Sequence, residues 1–140
     1  MDKYGLIGYP LVHSFSINYF NEKFQNENID AVYENFEIPT IDQLTEILDT
    51  NPELRGLNVT IPYKIDAMKS CRELSERARA IGCVNTVTRL PGGEWRGDNT
   101  DWDGFLHLLG EDAERLRGRP ALVLGSGGAS RTVRAVLASC

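Results

Sequence analysis

A chain of 140 residues with a formal net charge of −5, 41% hydrophobic and 25% charged residues has room for one ordinary domain and a little more, and its balance is that of a folding chain rather than a disordered tail. Its 15 Lys and Arg are spread without a basic run, which excludes an electrostatic grip on nucleic acid or an anionic membrane and leaves small molecules as the expected partners. Cys71, Cys83 and Cys140 form no CxxC pair and no cluster with histidine, so reduced thiols are expected, and neither a disulfide framework nor a zinc site.

The start, Met1-Asp2-Lys3-Tyr4-Gly5, has no basic segment leading into an apolar one, and no apolar run approaches bilayer length, so a cytoplasmic protein is expected. Without export, the match of Asn58-Val59-Thr60 to the glycosylation pattern is a chance one. Residues 4–9 read as a strand ended by Pro10, and residues 14–25 as a helix with Ile17, Phe20 and Phe24 on one stripe. Residues 31–38 alternate as a second strand up to Pro39, after which Ile41, Leu44, Ile47 and Leu48 take helical spacing. Residues 57–61 form a third strand closed by Pro62, and Leu74, Ala78 and Ile81 lie at i, i+4 and i+7 of a helix stopped by Gly82. Residues 83–90 and 94–97 flank Pro91-Gly92-Gly93 as a hairpin, which makes the sheet mixed.

Thr100-Asp101-Trp102-Asp103 has the form of a capping box, and Trp102, Phe105, Leu106 and Leu109 continue as one apolar face to Gly110, the mark of a connecting helix. After the charged stretch 111–119, an apolar strand at 121–124 runs into Gly125-Ser126-Gly127-Gly128 and a helix carrying Val133, Val136 and Leu137 on one side. The expected architecture is therefore α/β, built around a mixed sheet. Lacking parallel neighbours, residues 121–140 are expected to be loosely held or to borrow a strand from a second copy.

Several groups of residues can carry chemistry. Gly125-Ser126-Gly127-Gly128-Ala129-Ser130 sits between strand and helix, where backbone N–H groups and the helix dipole receive a pyrophosphate; it departs from GxGxxG at Ser130 and has no P-loop lysine. Its bland alternative is a tight turn that binds nothing. Ser14 and Ser16 stand where the first helix begins, suited to a carboxylate, although Ser14 as a plain N-cap is the simpler reading of the spacing. Lys64 follows the proline-broken stretch 58–63 and so projects from a strand end, where α/β proteins bind ligands. An ammonium there suits protonation of a developing alkoxide; an unaided lysine is more often a solvated charge. Asn85-Thr86 and Asp98-Asn99-Thr100-Asp101 concentrate polar groups beside apolar segments; with Thr100 as cap and Asp98 and Asn99 in turn hydrogen bonds, Asp101 is free to pair with a cation such as Lys64. His13 and His107 lack the neighbours of a metal ligand or base and read as structural or solvated, and Trp102 as part of a buried stripe.

Five segments in order, Gly8-Tyr9-Pro10-Leu11-Val12-His13-Ser14-Phe15-Ser16, Asn58-Val59-Thr60-Ile61-Pro62-Tyr63-Lys64, Gly82-Cys83-Val84-Asn85-Thr86, Gly97-Asp98-Asn99-Thr100-Asp101-Trp102-Asp103-Gly104 and Gly125-Ser126-Gly127-Gly128-Ala129-Ser130-Arg131, resemble the shikimate dehydrogenase family. The resemblance covers essentially the whole chain, with Ile17 standing where many relatives have proline. It implies NADP-dependent, reversible reduction of 3-dehydroshikimate to shikimate in aromatic amino-acid biosynthesis. By position it implies Ser14 and Ser16 on the substrate carboxylate, Thr60, Asn85 and Asp101 on ring hydroxyls, Lys64 with Asp101 as the catalytic pair, and Gly125, Ser126, Gly127, Gly128 and Ala129 on the cofactor. It also implies a three-layer sandwich around a mixed, mainly parallel sheet, followed by the first β-α unit of a Rossmann-like domain: a substrate-binding domain at 1–100, a connecting helix and linker at 101–118, and the truncated start of an NADP-binding domain at 119–140, a piece expected to be inactive by itself. The alternatives within reach are a quinate/shikimate dehydrogenase using NAD and a small-carboxylate-binding domain without catalysis; assembly as a homodimer is left open.

Overall fold

The computed structural model describes residues 1–140. Its six strands, β1 (Asp2–Gly8), β2 (Ala31–Glu37), β3 (Leu54–Val59), β4 (Glu73–Leu74), β5 (Thr86–Arg89) and β6 (Trp95–Asp98), form one sheet in the order β2-β1-β3-β5-β6-β4. β1 runs parallel to β2 and β3, β5 is antiparallel to β3 and β6, and β4 is parallel to β6, so the sheet is mixed with three of its five ladders parallel. The β5–β6 hairpin turns at Pro91-Gly92-Gly93, where Leu90 N–H donates to the Glu94 carbonyl at 2.7 Å. Leu74 belongs to the short β4 rather than to the helix its spacing suggests.

Six helices surround the sheet: α1 (Ser16–Asn26), α2 (Gln43–Thr50), α3 (Glu76–Ile81), α4 (Asp101–Leu109), α5 (Asp112–Leu116) and α6 (Gly128–Ser139), with a 3₁₀ turn at Asp66–Ser70. Strand alternation divides the apolar residues between two faces. On one, Leu6 and Tyr33 meet Ile17, Phe20 and Phe24 of α1, and the Phe20 and Tyr33 rings stack at 4.8 Å. On the other, Ile7, Leu57, Val59 and Val87 meet Leu44 and Leu48 of α2, Ala67 and Ala78. Leu44, Leu54 and Leu57 are at most 2% exposed, and burying such a side chain contributes about 1.5–3 kcal/mol. These are the three layers expected.

Of the six helix starts, only that of α3 has a side-chain cap from its N-cap residue. Ser75 caps α3 by accepting from Ala78 N–H at 3.1 Å, and Gly82 ends it in the left-handed conformation at φ 82°. Ser14 does not cap α1, since that helix starts after Phe15 and has no side-chain cap. Thr100 does not cap α4 either: its hydroxyl accepts from Asn85 Nδ2 at 2.8 Å, and the Asn99 side chain receives Trp102 N–H at 3.2 Å instead.

The expected strand at 121–124 does not form. Those residues belong to no element, and Leu122 and Leu124 are 85% and 88% exposed, because a β ladder is made only with a neighbour. The helix after it is held firmly, contrary to expectation: Val136 and Thr132 of α6 are at most 1% exposed, and Arg131 donates to the Gly82 carbonyl at 3.1 Å. No helix is long and apolar enough to cross a membrane.

Candidate functional site

Strand directions gather the sequence-predicted residues at one edge of the sheet. The carboxyl ends of β1, β3 and β6 and the amino end of β5 all point there, because β1, β3 and β6 are parallel to one another and β5 opposes them. Ser14 and Ser16 follow β1, Thr60 and Lys64 follow β3, Asn85 precedes β5, and Asp101 follows β6. Two hydrogen bonds stitch the first two loops, Tyr9 N–H to the Ile61 carbonyl at 3.1 Å and Thr60 N–H to the Ile7 carbonyl at 2.9 Å.

Ser14, Ser16 and Thr60 line one cavity of about 360 Å³ with His13, Phe15 and Ile61 at its lip. Ser14 Oγ donates to Asn35 Oδ1 at 3.3 Å, while Tyr33, whose hydroxyl donates to Asn58 Oδ1 at 2.8 Å, sits behind Ser16. Burial pushes the Tyr33 phenol up to about 12, so it stays neutral. Asn35 and Tyr33 escape a sequence reading because both lie inside an ordinary alternating strand.

Lys64 and Asp101 line a second cavity of about 310 Å³ with Phe105, Leu108, Ala129 and Val133. Lys64 Nζ donates to Asp101 Oδ2 at 2.6 Å, with the lysine side chain 15% exposed and the carboxylate 39%. The lysine is therefore not a solvated surface charge: its ammonium is paired with a carboxylate at the wall of the cavity. Asn85 lies in neither cavity; it exchanges two hydrogen bonds with Thr100, its Nδ2 donating to the hydroxyl and its Oδ1 accepting Thr100 N–H at 2.9 Å. A third cavity of about 340 Å³, between α1 and the sheet face, holds none of the predicted residues.

The glycine turn lies beside the lysine. Gly125, Ser126 and Gly127 are exposed, and α6 begins at Gly128 with no side chain on its free N–H groups, which leaves the donors and dipole of a helix start open to an anion. Ser130 Oγ closes the turn on the Gly125 carbonyl at 2.8 Å. A Cβ added at Gly128 would lie 2.6 Å from Lys64 Cβ and 3.5 Å from Cys83 Cβ, so only glycine lets α6 come this close to the lysine. The turn and helix start thus fit a dinucleotide phosphate, whose open end would face the lysine-aspartate cavity. His13 and His107 are exposed and stand apart from the Lys64–Asp101 pair.

Comparison with known proteins gives this geometry a context. The profile of the shikimate dehydrogenase substrate binding domain matches residues 6–87. A shikimate dehydrogenase (NADP(+)) of Dictyoglomus turgidum is 44% identical over 131 residues, 93% of this chain and 47% of that protein. The pentafunctional AROM polypeptide of Schizosaccharomyces pombe is 39% identical over 135 residues, 8% of its length. Among solved structures, shikimate dehydrogenase 1 of Peptoclostridium difficile superposes with a TM-score of 0.88 at 32% identity, covering 99% of this chain and 53% of that one. Shikimate 5-dehydrogenase of Thermus thermophilus, solved in complex with shikimate, superposes with a TM-score of 0.83 at 35% identity and covers 99% and 53%. The chain spans about half the length of the shikimate dehydrogenases it matches. On the match over residues 6–87 and on these structural likenesses, the chain belongs to the shikimate dehydrogenase substrate-binding domain family.

Proposed function

We propose that this chain supplies the substrate-binding half, and the opening turn and helix of the cofactor-binding half, of an NADP-dependent shikimate dehydrogenase that interconverts 3-dehydroshikimate and shikimate. The same proposal divides it into a substrate-binding domain at 1–100, a connecting helix and linker at 101–118, and the start of a cofactor domain at 119–140, in a cytoplasmic protein. The observation that carries it is the Lys64–Asp101 contact of 2.6 Å at the sheet edge where hydroxyl side chains also converge.

In this reading Ser14 and Ser16 receive the substrate carboxylate, their hydroxyl protons turning from Asn35 Oδ1 and the Tyr33 oxygen to the carboxylate oxygens when substrate binds. Thr60 takes a ring hydroxyl from the end of β3. Asn85, turned by Thr100, and Asp101 take the others. Gly125, Ser126, Gly127, Gly128 and Ala129 would hold reduced NADP, which when bound would supply the hydride. As negative charge develops on the substrate carbonyl oxygen, the Lys64 ammonium stabilises it and delivers a proton to it. Asp101 keeps that ammonium aimed at the oxygen. In the reverse direction the lysine amine takes the hydroxyl proton.

The test is the initial rate of NADP+ reduction with shikimate in the complete enzyme. Turnover is expected, and Lys64→Ala is expected to lower kcat by about 10²-fold or more with a smaller change in KM, the size of a lost general acid. Near-normal kcat in that variant would refute the lysine's role. Shikimate binding by calorimetry with no turnover under any cofactor would favour a binding domain instead.

A further inference from the structure

We infer that Asn99 is a positioning residue that ties the Lys64–Asp101 pair to the cofactor-turn helix, an inference that rests on the dehydrogenase reading above. Asn99 is 1% exposed and reaches neither cavity, so it acts through its neighbours. Its side-chain amide spans three segments that are remote in sequence. Nδ2 donates to the Cys83 carbonyl at 3.3 Å, ahead of β5, and to Thr132 Oγ1 at 3.0 Å, on α6. Oδ1 accepts Trp102 N–H at 3.2 Å and so caps α4 one residue beyond Asp101.

Each of these bonds leads to the proposed chemistry in one further step. Thr132 passes its own proton to the Gly128 carbonyl at 3.3 Å, the residue whose missing side chain lets α6 touch Lys64. Next to Cys83, Val84 N–H donates to the Lys64 carbonyl at 2.8 Å and fixes the lysine backbone. On α4, the cap sets the first turn from which the Asp101 carboxylate reaches the ammonium. Thr132 is itself 1% exposed, so no water stands ready to replace a lost amide. An apolar residue at 99 would strand the Cys83 carbonyl and Trp102 N–H, cut Thr132 loose from both, and free α4, α6 and the Lys64 strand end to shift independently. A purely structural asparagine would lower stability alone; a positioning one also separates kcat from KM, since the serines and Thr60, which hold the carboxylate and one ring hydroxyl in that reading, lie elsewhere.

The test uses the complete enzyme. Asn99→Ala is expected to lower kcat for shikimate oxidation by about 10- to 100-fold, the effect of roughly ångström-scale misplacement, with KM for shikimate changed less than about threefold. Thr132→Val is expected to lose kcat in the same direction, and Thr132→Ser, which keeps the hydroxyl, to recover it. A readout independent of turnover is acetylation of Lys64 by acetic anhydride followed by peptide mass spectrometry, which is expected to quicken several-fold in Asn99→Ala as the carboxylate releases the amine. A lower melting temperature with unchanged kcat and unchanged Lys64 acetylation overturns the inference, as does a rise in KM at constant kcat. If Asn99→Ala does not fold, the Thr132→Val and Thr132→Ser pair decides by the same criteria. Absence of shikimate turnover in the unsubstituted enzyme sinks the dehydrogenase reading instead, and the Lys64 acetylation comparison still decides the role of Asn99.

Discussion

Replacing Gly128 by alanine tests the packing of α6 on the lysine with a single methyl group. The new Cβ would stand 2.6 Å from Lys64 Cβ and 3.2 Å from its Cδ, with Cys83 Cβ at 3.5 Å behind. Carbon atoms rest at about 3.5–4.0 Å, so the two elements must part by roughly 1 Å. The lysine cannot swing aside at that point, because Cβ is next to a backbone that Val84 N–H holds at 2.8 Å. Overpacking of this kind costs about 1–3 kcal/mol, offset by about 0.5–1 kcal/mol from removing a glycine at the helix start. The net loss, about 0–2.5 kcal/mol, corresponds to a melting temperature lower by up to roughly 10 °C for a chain of this size. Displacement of α6 also moves the Lys64 ammonium off its bearing, and kcat in the complete enzyme is expected to fall about 10- to 100-fold. Circular dichroism melts and initial rates of NADP+ reduction measure both. An unchanged melt together with an unchanged kcat would refute the close approach of α6 to Lys64.

Asp101→Asn keeps the shape but removes the charge that holds Lys64; kcat is expected to drop about 10- to 100-fold, the worth of a hydrogen bond between charged groups, and full activity would count against the pair. Ser75→Ala removes both the α3 cap and the 2.6 Å bond to Asp98 Oδ1, and is expected to cost about 1–2 kcal/mol in urea unfolding. The same hydroxyl, then Asn99 N–H, holds the Asp98 carboxyl below its ordinary value against the opposing effect of burial; its contribution to stability is present above that ordinary value, is lost on acidification, and should shrink in Ser75→Ala. Burial pushes the Cys71 thiol up to about 11 and the Tyr33 phenol up to about 12. Both groups ionise more readily in the unfolded chain, so stability is full below about pH 9 and declines as pH rises toward those values; a urea midpoint that does not fall between pH 8 and pH 10.5 would contradict this. Alkylation of Cys71 by iodoacetamide, followed by mass spectrometry, should be slow at pH 8 for the same reason.

Ile17, Phe20 and Phe24 mark α1 by spacing alone, and the hairpin at Pro91-Gly92-Gly93 announces a mixed sheet, because periodicity and turn chemistry are local properties. The pairing of Asp101 with Lys64 was also legible, as a surplus carboxylate beside a lysine at a strand end. What failed to show were choices among equivalent partners. Thr100 and Ser14 are both good caps in isolation, yet Asn85 claims the Thr100 hydroxyl and Asn35 that of Ser14. β4 has two residues, too few for any pattern to register.

Residues 121–124 have all the apolar character of a strand and form none, since a ladder needs a neighbour the run of residues cannot itself supply. The order of side chains thus determined the strands and helices that recur with a period, and the residue types able to hold a hydroxylated acid and move a proton. Only the tertiary structure decided which of those groups meet. It turned β1, β3 and β6 one way and β5 the other, so that loops far apart in sequence share one edge. It also buried Asn99, which the chain alone marks as a turn residue, where its one amide holds three segments at once.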